Sequence, residues 1–490
     1  MTATPTATAT ATATATVKGG AWHRGRWSAL GLLVLVLAAS LWAYAADRRW
    51  SYILVYAWFG LAYGVLLQYG RFCMASAVRD LFAVRVPRMA VGMMIAVALY
   101  AVVAAGVSLA GFNTFHPNPL GWHVLIGAAI FGFGIVFTGG CASGSLYKAG
   151  EGNLASAIVI VAISFSQAFV VGTKEFGDAL APASWTRSAL AKDMPAELDV
   201  THGWFDLFTA GYVWDLKAAT LAQMLGVAES PWLAALVNMV LVALLPVGLI
   251  LLLLYAVYYR PGHMRRAKIA APTWRDHLAG LWAMATSSRN TALAGAGLGV
   301  LAGAHMWVTG ALREHFEIGN FGELLAAMKL RDGLSIQDTV FDPGYWYITT
   351  QEAQWGGWLL ERSGVPLTDN IFFGLDNGLP PPWLNAPGYM SIGIVLGAAM
   401  MALARREFRW KVPHLEAALF ALVGGALMGL GARVAMGCNI GAFFATVTNG
   451  DPSGWVFLLG MALGAYVGVK IFAWWVDWQS ARRGDELSLS

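Results

Sequence analysis

Gly134-Ile-Val-Phe-Thr-Gly-Gly-Cys141-Ala-Ser-Gly144 is one of two related stretches that decide the fold of this chain; the other is Gly431-Ala-Arg-Val-Ala-Met-Gly-Cys438-Asn-Ile-Gly441. In both, glycine stands seven residues before the cysteine, directly before it and three residues after it. Cys73 lies in a related setting, Gly70-Arg71-Phe72-Cys73-Met74-Ala75-Ser76, and the 490-residue chain has 3 cysteines in all. Each cysteine therefore belongs to a loop of small residues between apolar segments.

The composition is that of a membrane protein. The chain is 58% hydrophobic and 12% charged, whereas soluble domains carry about 25% charged residues. The 56 glycines suit close helix packing, and the 22 tryptophans suit interfacial belts. The net charge of +4 is small and no basic stripe is present, so we expect a lipid bilayer and no nucleic acid as partner.

The three cysteines do not form a pattern typical of disulfides or metals. Three thiols cannot all pair with one another, and the sequence contains no CxxC and no Cys/His cluster. It also lacks the P-loop pattern of ATP-driven proteins. We therefore expect no metal, no cofactor and no enzymatic activity.

Apolar segments recur along the chain after a Thr/Ala-rich tail, 1–26, which we predict to be disordered. Residues 27–47 are interpreted as an extra N-terminal transmembrane helix, since the apolar run is long enough to span a bilayer. About nine or ten spanning helices are expected. The segments lie near 28–46, 52–68, 89–111, 122–138, 154–173, 232–259, 279–308, 388–404, 415–431 and 454–477.

Charge placement predicts an inverted repeat. Basic clusters follow 232–259 and 388–404 and occur in the C-terminal tail, 481–490, so these sites and the C-terminus should be cytoplasmic. Two long loops, 174–231 and 309–387, are expected outside. The hairpin carrying Cys438 then has both ends inside, and the hairpin carrying Cys141 has both ends outside.

The predicted fold is an all-α polytopic membrane protein with short re-entrant helices and an inverted-repeat transporter architecture. The first repeat, 48–260, includes the loop 174–231. The second repeat, 261–480, includes the loop 309–387.

The cysteine loops are candidates for a substrate path through Cys73, Cys141 and Cys438. Irregular backbone at membrane depth must be buried in protein or line a polar cavity, and a half-helix that follows offers free N–H groups to an anion. A thiol is a weak donor and a soft acceptor, so it can hold a sulfur-bearing solute loosely. The alternative is that each cysteine is a small buried apolar side chain.

Further residues near the loops are candidates for a supporting role. Lys148 and Glu151 are close enough in sequence to pair with each other instead, and Asn439 and Thr446 could equally cap a half-helix. His305, in an apolar segment, is interpreted as a packing residue. The supporting candidates are Arg71, Gly139, Gly140, Ser143, Lys148, Glu151, Asn439 and Thr446.

The cysteine loops resemble those of the YeeE/YedE family of sulfur-transport membrane proteins. The resemblance rests on Gly70-Arg71-Phe72-Cys73, Thr138-Gly139-Gly140-Cys141-Ala142-Ser143-Gly144 and Met436-Gly437-Cys438-Asn439-Ile440-Gly441, and covers roughly residues 50–480. The tract from Trp346 to Trp358 is similar to one in the longer members.

That resemblance implies uptake of thiosulfate across the bacterial inner membrane. It implies that three cysteines pass the ion by S–H···S contacts, at the positions of Cys73, Cys141 and Cys438. It also implies delivery to a TusA-like sulfur carrier or a rhodanese. The length of this chain leaves another sulfur or selenium species open as substrate.

Two other classes stay open. A membrane thiol oxidoreductase would need a reactive cysteine pair, for which a Cys141–Cys438 disulfide is the candidate. A purely structural membrane subunit would give no reason for the matched Gly-Cys loops.

Overall fold

The computed structural model describes residues 20–488 apart from 114, 116, 119, 173–218, 270, 319–320, 331–347, 366–380 and 436. The predicted disordered tail lies outside the described residues up to residue 19, and from Gly20 onward it is part of the first helix. Most of the predicted C-terminal tail continues the last helix.

The helices are α1 Gly20–Ala46, α2 Trp50–Gly70, α3 Met74–Ala83, α4 Arg88–Leu109, α5 Trp122–Thr138, α6 Ala142–Gly150, α7 Leu154–Gly172, α8 Leu221–Met224, α9 Pro231–Ala267, α10 Trp274–Ala285, α11 Arg289–Phe316, α12 Phe321–Ala327, α13 Ile348–Arg362, α14 Ala386–Ala404, α15 Leu415–Val434, α16 Asn439–Thr448 and α17 Ser453–Ser488.

Nine membrane-length helical segments occur among the described residues. They are long and apolar enough to cross a bilayer. The remaining predicted segment, 154–173, corresponds to α7, which is a shorter apolar helix. The prediction of an all-α polytopic membrane protein with about nine or ten spanning helices is confirmed. The nine segments are α1, α2 with α3, α4, α5 with α6, α9, α11, α14, α15 and α17.

The predicted span at 279–308 is wrong at its start. Hydroxyl groups end α10: Thr286 donates to the Trp282 carbonyl, and Ser287 donates to the Met284 carbonyl, both at 2.8 Å. Side chains that bond the local backbone compete with helix continuation. The chain therefore turns, and the spanning helix α11 begins only at Arg289.

The segment 309–387 is not one polar loop, because it contains α13. This helix packs against α7 and α14, and its side chains from Thr349 to Gln354 are buried. Two of its polar groups accept hydrogen bonds from neighbouring elements: Gln167 on α7 donates to the Thr349 carbonyl at 3.0 Å, and Asn385 donates to Gln354 at 2.7 Å. A buried face made of polar residues explains why hydrophobicity did not indicate this helix.

The described end of the other predicted loop, 174–231, also departs from an unbroken loop. Residues 173–218 lie outside the description, but Leu221–Met224 forms α8. Thr220 and Gln223 form a reciprocal capping box that fixes its first turn.

Two sets of contacts identify opposite faces of the bundle. Near the end of α17, Gln479 donates to Glu416 at the start of α15 (3.0 Å). On the same side, the Arg409 N–H donates to the Glu151 carbonyl (3.1 Å), and Lys411 pairs with Asn153. We call this side, which carries residues 405–411, the basic face.

The opposite face lies where α5 and α17 begin. The Asn118 N–H donates to Asp451 (2.8 Å), and Asn113 donates to Asn449 (3.1 Å). Hence α5 runs from the opposite face towards the basic face and α7 returns, whereas α15 runs from the basic face and α17 returns to it. The two cysteine-bearing hairpins are inverted, as the sequence predicted.

Helix packing repeats this inversion through the bundle. Each of four packed helix pairs has a counterpart in which the helices of the two halves exchange roles. The corresponding pairs are α2–α14 and α11–α4, α5–α17 and α15–α7, α7–α13 and α17–α3, and α6–α14 and α16–α4. The helix α1, set outside the repeats by the sequence analysis, packs on α14 as α9 packs on α4. The matched packing is the arrangement of an inverted-repeat transporter, in which the solute site lies between the repeats.

Glycine permits the closest of these contacts. A Cβ atom at Gly60 would overlap the carbonyl of Met390, and one at Gly464 would overlap the carbonyl of Ala129. Small residues allow backbones to approach in membrane helices, where dispersion contacts replace the hydrophobic effect as the main attraction. The glycine-rich composition is therefore used at the α2–α14 and α5–α17 interfaces.

Candidate functional site

Each of the three cysteines stands immediately before a short helix. Cys73 precedes α3, Cys141 precedes α6 and Cys438 precedes α16, and all three thiols are buried. At 1.5 Å per residue these helices are each about 15 Å long, half of the roughly 30 Å hydrocarbon core. They are too short to span, and their N-terminal N–H groups, with the positive end of the helix dipole, lie at the cysteines.

The backbone confirms that two of the loops are copies of one another. Cys141 has φ −85° and ψ −176°, and Cys438 has φ −87° and ψ −179°. Gly139 (φ +67°) and Gly437 (φ +155°) supply positive φ values before these cysteines. A side chain would strain the backbone at either position. The two glycines are not equivalent, since Gly139 stands two residues before Cys141 and Gly437 stands directly before Cys438.

Cys73 and Cys141 form a contact pair, with their Sγ atoms 3.9 Å apart. The Cys141 sulfur accepts from the Gly144 N–H and lies within hydrogen-bond distance of the Ser143 hydroxyl, both at 3.4 Å. A Cβ atom at Gly144 would lie 2.8 Å from the Cys73 sulfur. The absence of a side chain at Gly144 therefore lets the two thiols meet.

Lys148 completes this group, which we call the paired-thiol site: Cys73, Cys141, Ser143 and Lys148. Its ammonium group donates to the Gly139 carbonyl at 2.5 Å and lies close enough to Cys73 to act on its charge. The alternative pairing of Lys148 with Glu151 is not among the ion pairs of the described residues. Lys148 turns back to the cysteine loop because Gly139 exposes its carbonyl there.

Gly140, Arg71 and Glu151 have different positions around this site. A Cβ atom at Gly140 would lie 3.4 Å from the Lys148 nitrogen, so this glycine leaves room for the ammonium group. Arg71 lies at the basic face, where it forms an ion pair with Glu407 at 2.9 Å. Glu151 is buried beside the 405–411 link, and one of its carboxylate oxygens has no hydrogen-bond partner.

Cys438 lies in a second group, on the side of the opposite face. Its side chain contacts Thr349 near the start of α13, while Glu352 and Arg433 lie close enough to act on its charge. The Ile440 and Gly441 N–H groups point at its sulfur. We call the set Cys438, Asn439, Thr349, Glu352 and Arg433 the single-thiol site.

Asn439 and Thr446 differ in what they can offer a solute. Asn439 is fully buried, and both polar atoms of its amide lack a hydrogen-bond partner. Thr446 donates to the carbonyls of Ala442 and Phe443, at 3.0 and 2.9 Å, within its own helix. Asn439 is therefore available to a ligand, whereas the Thr446 hydroxyl is used inside α16.

A small apolar cavity lies between the two sites. Its lining includes Met74, adjacent to Cys73, Ser143, two residues after Cys141, and Ile440, two residues after Cys438. Leu298 and Phe444 close it from other sides. A residue one or two positions after each cysteine therefore lines this cavity.

Sequence reasoning missed Glu352 and Arg433 as site residues. Both are buried, at 0% and 1% exposure, and Arg433 donates to Thr350 at 2.8 Å. The signal was present, because an ionisable residue at membrane depth is a functional candidate by default. His305 is buried among aromatic rings, stacked on Phe59 and 3.2 Å from the Tyr63 hydroxyl, in agreement with a packing role.

Comparison with known proteins gives the context for this geometry. The chain is 26% identical over 423 residues to the thiosulfate transporter TsuA of Spirochaeta thermophila, covering 85% of this chain and 96% of that protein. It is 24% identical over 410 residues to the thiosulfate transporter TsuA of Escherichia coli, covering 83% and 91%. A probable transporter of Escherichia coli, YedE, is 30% identical over 127 residues, covering 26% and 32%.

The family comparison covers both cysteine-bearing hairpins. The profile described as sulphur transport matches residues 69–467, a range that begins just before Cys73 and includes Cys141 and Cys438. The chain therefore belongs to the sulphur transport family of membrane proteins.

Proposed function

We propose that this protein takes up thiosulfate, or a closely related sulfur-containing anion, along a path lined by Cys73, Cys141 and Cys438. The observation that carries the proposal is the buried contact of the Cys73 and Cys141 thiols, 3.9 Å apart, where two short helices begin. The names of the two relatives aligned over most of the chain support thiosulfate as the substrate.

The chemistry of the path matches a soft divalent anion. Helix N-termini favour negative charge, and Lys148 adds a cation beside the paired-thiol site. A thiol donates only a weak hydrogen bond, so it can orient the terminal sulfur of thiosulfate without holding it tightly. Conduction needs binding that is strong enough for loading and weak enough for release.

The order of sites sets the order of steps. The anion meets Cys438 and the free amide of Asn439 first, on the side of the opposite face. It then crosses the apolar cavity to Cys141 and Cys73, and leaves beside Arg71 and Glu407 at the basic face. The anion keeps its covalent bonds throughout, since each step exchanges hydrogen bonds only.

The basic face is the cytoplasmic face in this proposal, and the membrane is the bacterial inner membrane. Arg405, Arg406, Arg409 and Lys411 lie there, and short cytoplasmic links carry an excess of basic residues. The same face carries the end of α17, so the C-terminus is cytoplasmic. A TusA-like sulfur carrier or a rhodanese would receive the sulfur there.

A thiol oxidoreductase is the second candidate, and the Cys73–Cys141 contact is the observation that favours it. From the sequence, the candidate pair was Cys141 with Cys438, whereas the pair in contact is Cys141 with Cys73. Turnover through this pair would need a disulfide to form and be reduced in each cycle. Transport with the thiols reduced throughout would exclude it.

The test is uptake by bacteria that lack their own thiosulfate and sulfate importers. We expect growth on thiosulfate with the wild-type protein, and loss of growth and uptake in Cys73→Ala, Cys141→Ala and Cys438→Ala at equal membrane abundance. Ser156→Ala, a buried serine on α7, is the matched control and should keep uptake. Undiminished uptake in Cys141→Ala would reject the thiol path.

A further inference from the structure

Glu352 is a buried carboxyl without a partner. Its side chain has 0% exposure, and neither carboxylate oxygen has a hydrogen-bond partner. The backbone at this position is fixed, because the Ser164 hydroxyl donates to the Glu352 carbonyl at 2.5 Å. The carboxyl is thus held in place with nothing that would stabilise a negative charge on it.

The surrounding elements offer little compensation for a charge on Glu352. The described part of α7 has no acidic or basic side chain, and neither has the turn Pro382–Leu384. Arg433 donates to Thr350 and acts on Cys438. The titratable or charged groups on the elements packed around α13 are Tyr147 and Lys148 on α6, Tyr389 on α14, Glu416 and Arg433 on α15, and Cys438, with Glu361 and Arg362 on α13 itself.

An ionised Glu352 conflicts with an anion at Cys438. Burying an unpaired carboxylate is unfavourable because the charge loses its hydration, so such a group takes up a proton instead. Glu352 acts on the charge of Cys438, so an anion held there would add like-charge repulsion. A single proton on Glu352 removes both costs.

The neighbouring amides supply what an anion needs. Gln351 beside Glu352 has an NH2 group without a hydrogen-bond partner, and so has Asn439 beside Cys438. Both side chains are fully buried. The single-thiol site therefore contains donors for the oxygens of an anion together with one acidic group that opposes it.

We infer that Glu352 is a proton-binding site whose occupancy is required for anion binding at Cys438, so that the protein carries one proton with each sulfur anion. This inference rests on the proposed function. Proton and anion then bind with positive linkage, and each raises the affinity for the other by the same factor. A dianion that moves with one proton transfers one net negative charge in each cycle.

The experiment measures binding of radiolabelled thiosulfate to the purified full-length protein at a series of pH values. The pH series runs from about pH 5 to about pH 8. Thiosulfate keeps both of its charges over this range, and ordinary thiols ionise only above it. Above the pKa of the linked carboxyl, the wild-type Kd should rise about tenfold per pH unit, as one linked proton requires. In Glu352→Gln, which imitates the protonated acid, the Kd should not change with pH.

Glu361→Gln is the matched control, since Glu361 lies on the same helix but is exposed. It should keep the wild-type pH dependence. In proteoliposomes, an inward proton gradient should accelerate uptake by the wild type and by Glu361→Gln but not by Glu352→Gln. A wild-type Kd that is constant over this range, or an equal pH dependence in Glu352→Gln, would overturn the inference.

A readout without substrate separates this inference from the proposed function. At neutral pH the wild type should show an infrared C=O band of one protonated carboxyl in excess of those in Glu352→Gln. Absence of thiosulfate uptake at every pH, with this band present, would reject the proposed substrate and leave the proton site standing. Thiosulfate uptake without the band at any pH would reject the proton site alone.

Discussion

The paired-thiol site and the single-thiol site are built from matching parts but differ in what faces the cysteine. Cys141 meets a second thiol, Cys73, at the start of α3. Cys438 meets a hydroxyl, Thr349, at the start of α13, which packs on α7 as α3 packs on α17. The inverted repeat therefore preserves the helix that supports the cysteine and changes the group that the helix presents.

The charges around the two sites also differ. Lys148 is the charged group beside the paired thiols, and it bonds a carbonyl of the same loop. The single-thiol site contains both Glu352 and Arg433, on two different helices. Under the proposals above, the first site holds the anion, and the second makes anion binding depend on a proton.

Oxidation should give the largest difference between the two sites. Copper phenanthroline with oxygen should remove two electrons and two protons from Cys73 and Cys141 and join their sulfurs, while Cys438 stays a free thiol. Uptake should fall to background, because the disulfide removes both thiols from the path, and dithiothreitol should restore it. Mass spectrometry of the peptides, beside uptake, checks the assignment.

Thr349→Cys sharpens that experiment. If Thr349 occupies the position that corresponds to Cys73, this variant should form a second cross-link, to Cys438, under the same treatment. Ser156→Cys, which lies on α7 and not on α13, should not react with Cys438. Cross-linking of Cys141 to Cys438 in the wild type would contradict the arrangement described above.

The glycines three residues after each cysteine should respond differently to alanine. In Gly144→Ala the new methyl group would lie 2.8 Å from the Cys73 sulfur, whereas at Gly441 nothing lies within 4 Å. Displacing the thiol pair costs about 2 kcal/mol, or roughly thirtyfold in uptake. Gly441→Ala is the control and should stay within about twofold of the wild type.

Uptake rates at equal membrane abundance measure this difference. A loss of the same size in both variants would show that the loss in Gly144→Ala does not come from displacing the thiol pair. The contact between Cys73 and Cys141 would then not depend on the small residue at position 144.

Substitution of Arg71 and Arg433, the two arginines nearest to the cysteines in the sequence, should give the smallest effects on thiosulfate binding. These two effects should again be unequal. Arg433 is buried and hydrogen-bonded to Thr350, so Arg433→Lys should weaken thiosulfate binding about tenfold. The Arg71 side chain is 57% exposed in its ion pair with Glu407, so Arg71→Gln should change the Kd about twofold or less. Equilibrium dialysis with labelled thiosulfate gives both values, and a larger loss in Arg71→Gln would reverse the assignment of roles.

The cysteine loops could be predicted because their signal is local. Glycine at positions that need positive φ, followed by a cysteine that begins a helix, specifies the turn without knowledge of the rest of the chain. The inverted hairpins followed from basic residues at 405–411, which do lie beside the start of α15. The contact of Cys73 with Cys141 depends on how α3 and α6 approach, and no pattern of spacing contains that information.

The missed features have a common physical cause. The buried face of α13 is polar because α7 and α14 offer matching polar groups, so hydrophobicity indicated a loop there. Thr446 was a candidate for solute binding, but its hydroxyl bonds carbonyls of its own helix. Lys148 was considered as a partner of Glu151, but its ammonium group donates to the Gly139 carbonyl. In each case a partner distant in sequence, or a backbone group, decided where a polar atom points.

The contact of Cys438 with Thr349, where Cys141 contacts a second thiol, makes the two ends of the proposed path unequal. Three thiols cannot be divided equally between two inverted halves, so an anion on the proposed path should dwell longer where two thiols lie together, near the basic face. Detailed balance forbids such asymmetry from concentrating the solute by itself. Detailed balance does allow the anion concentration at half-saturation to differ between the two sides. The slowest dissociation would then occur beside the compartment that contains a receiving protein.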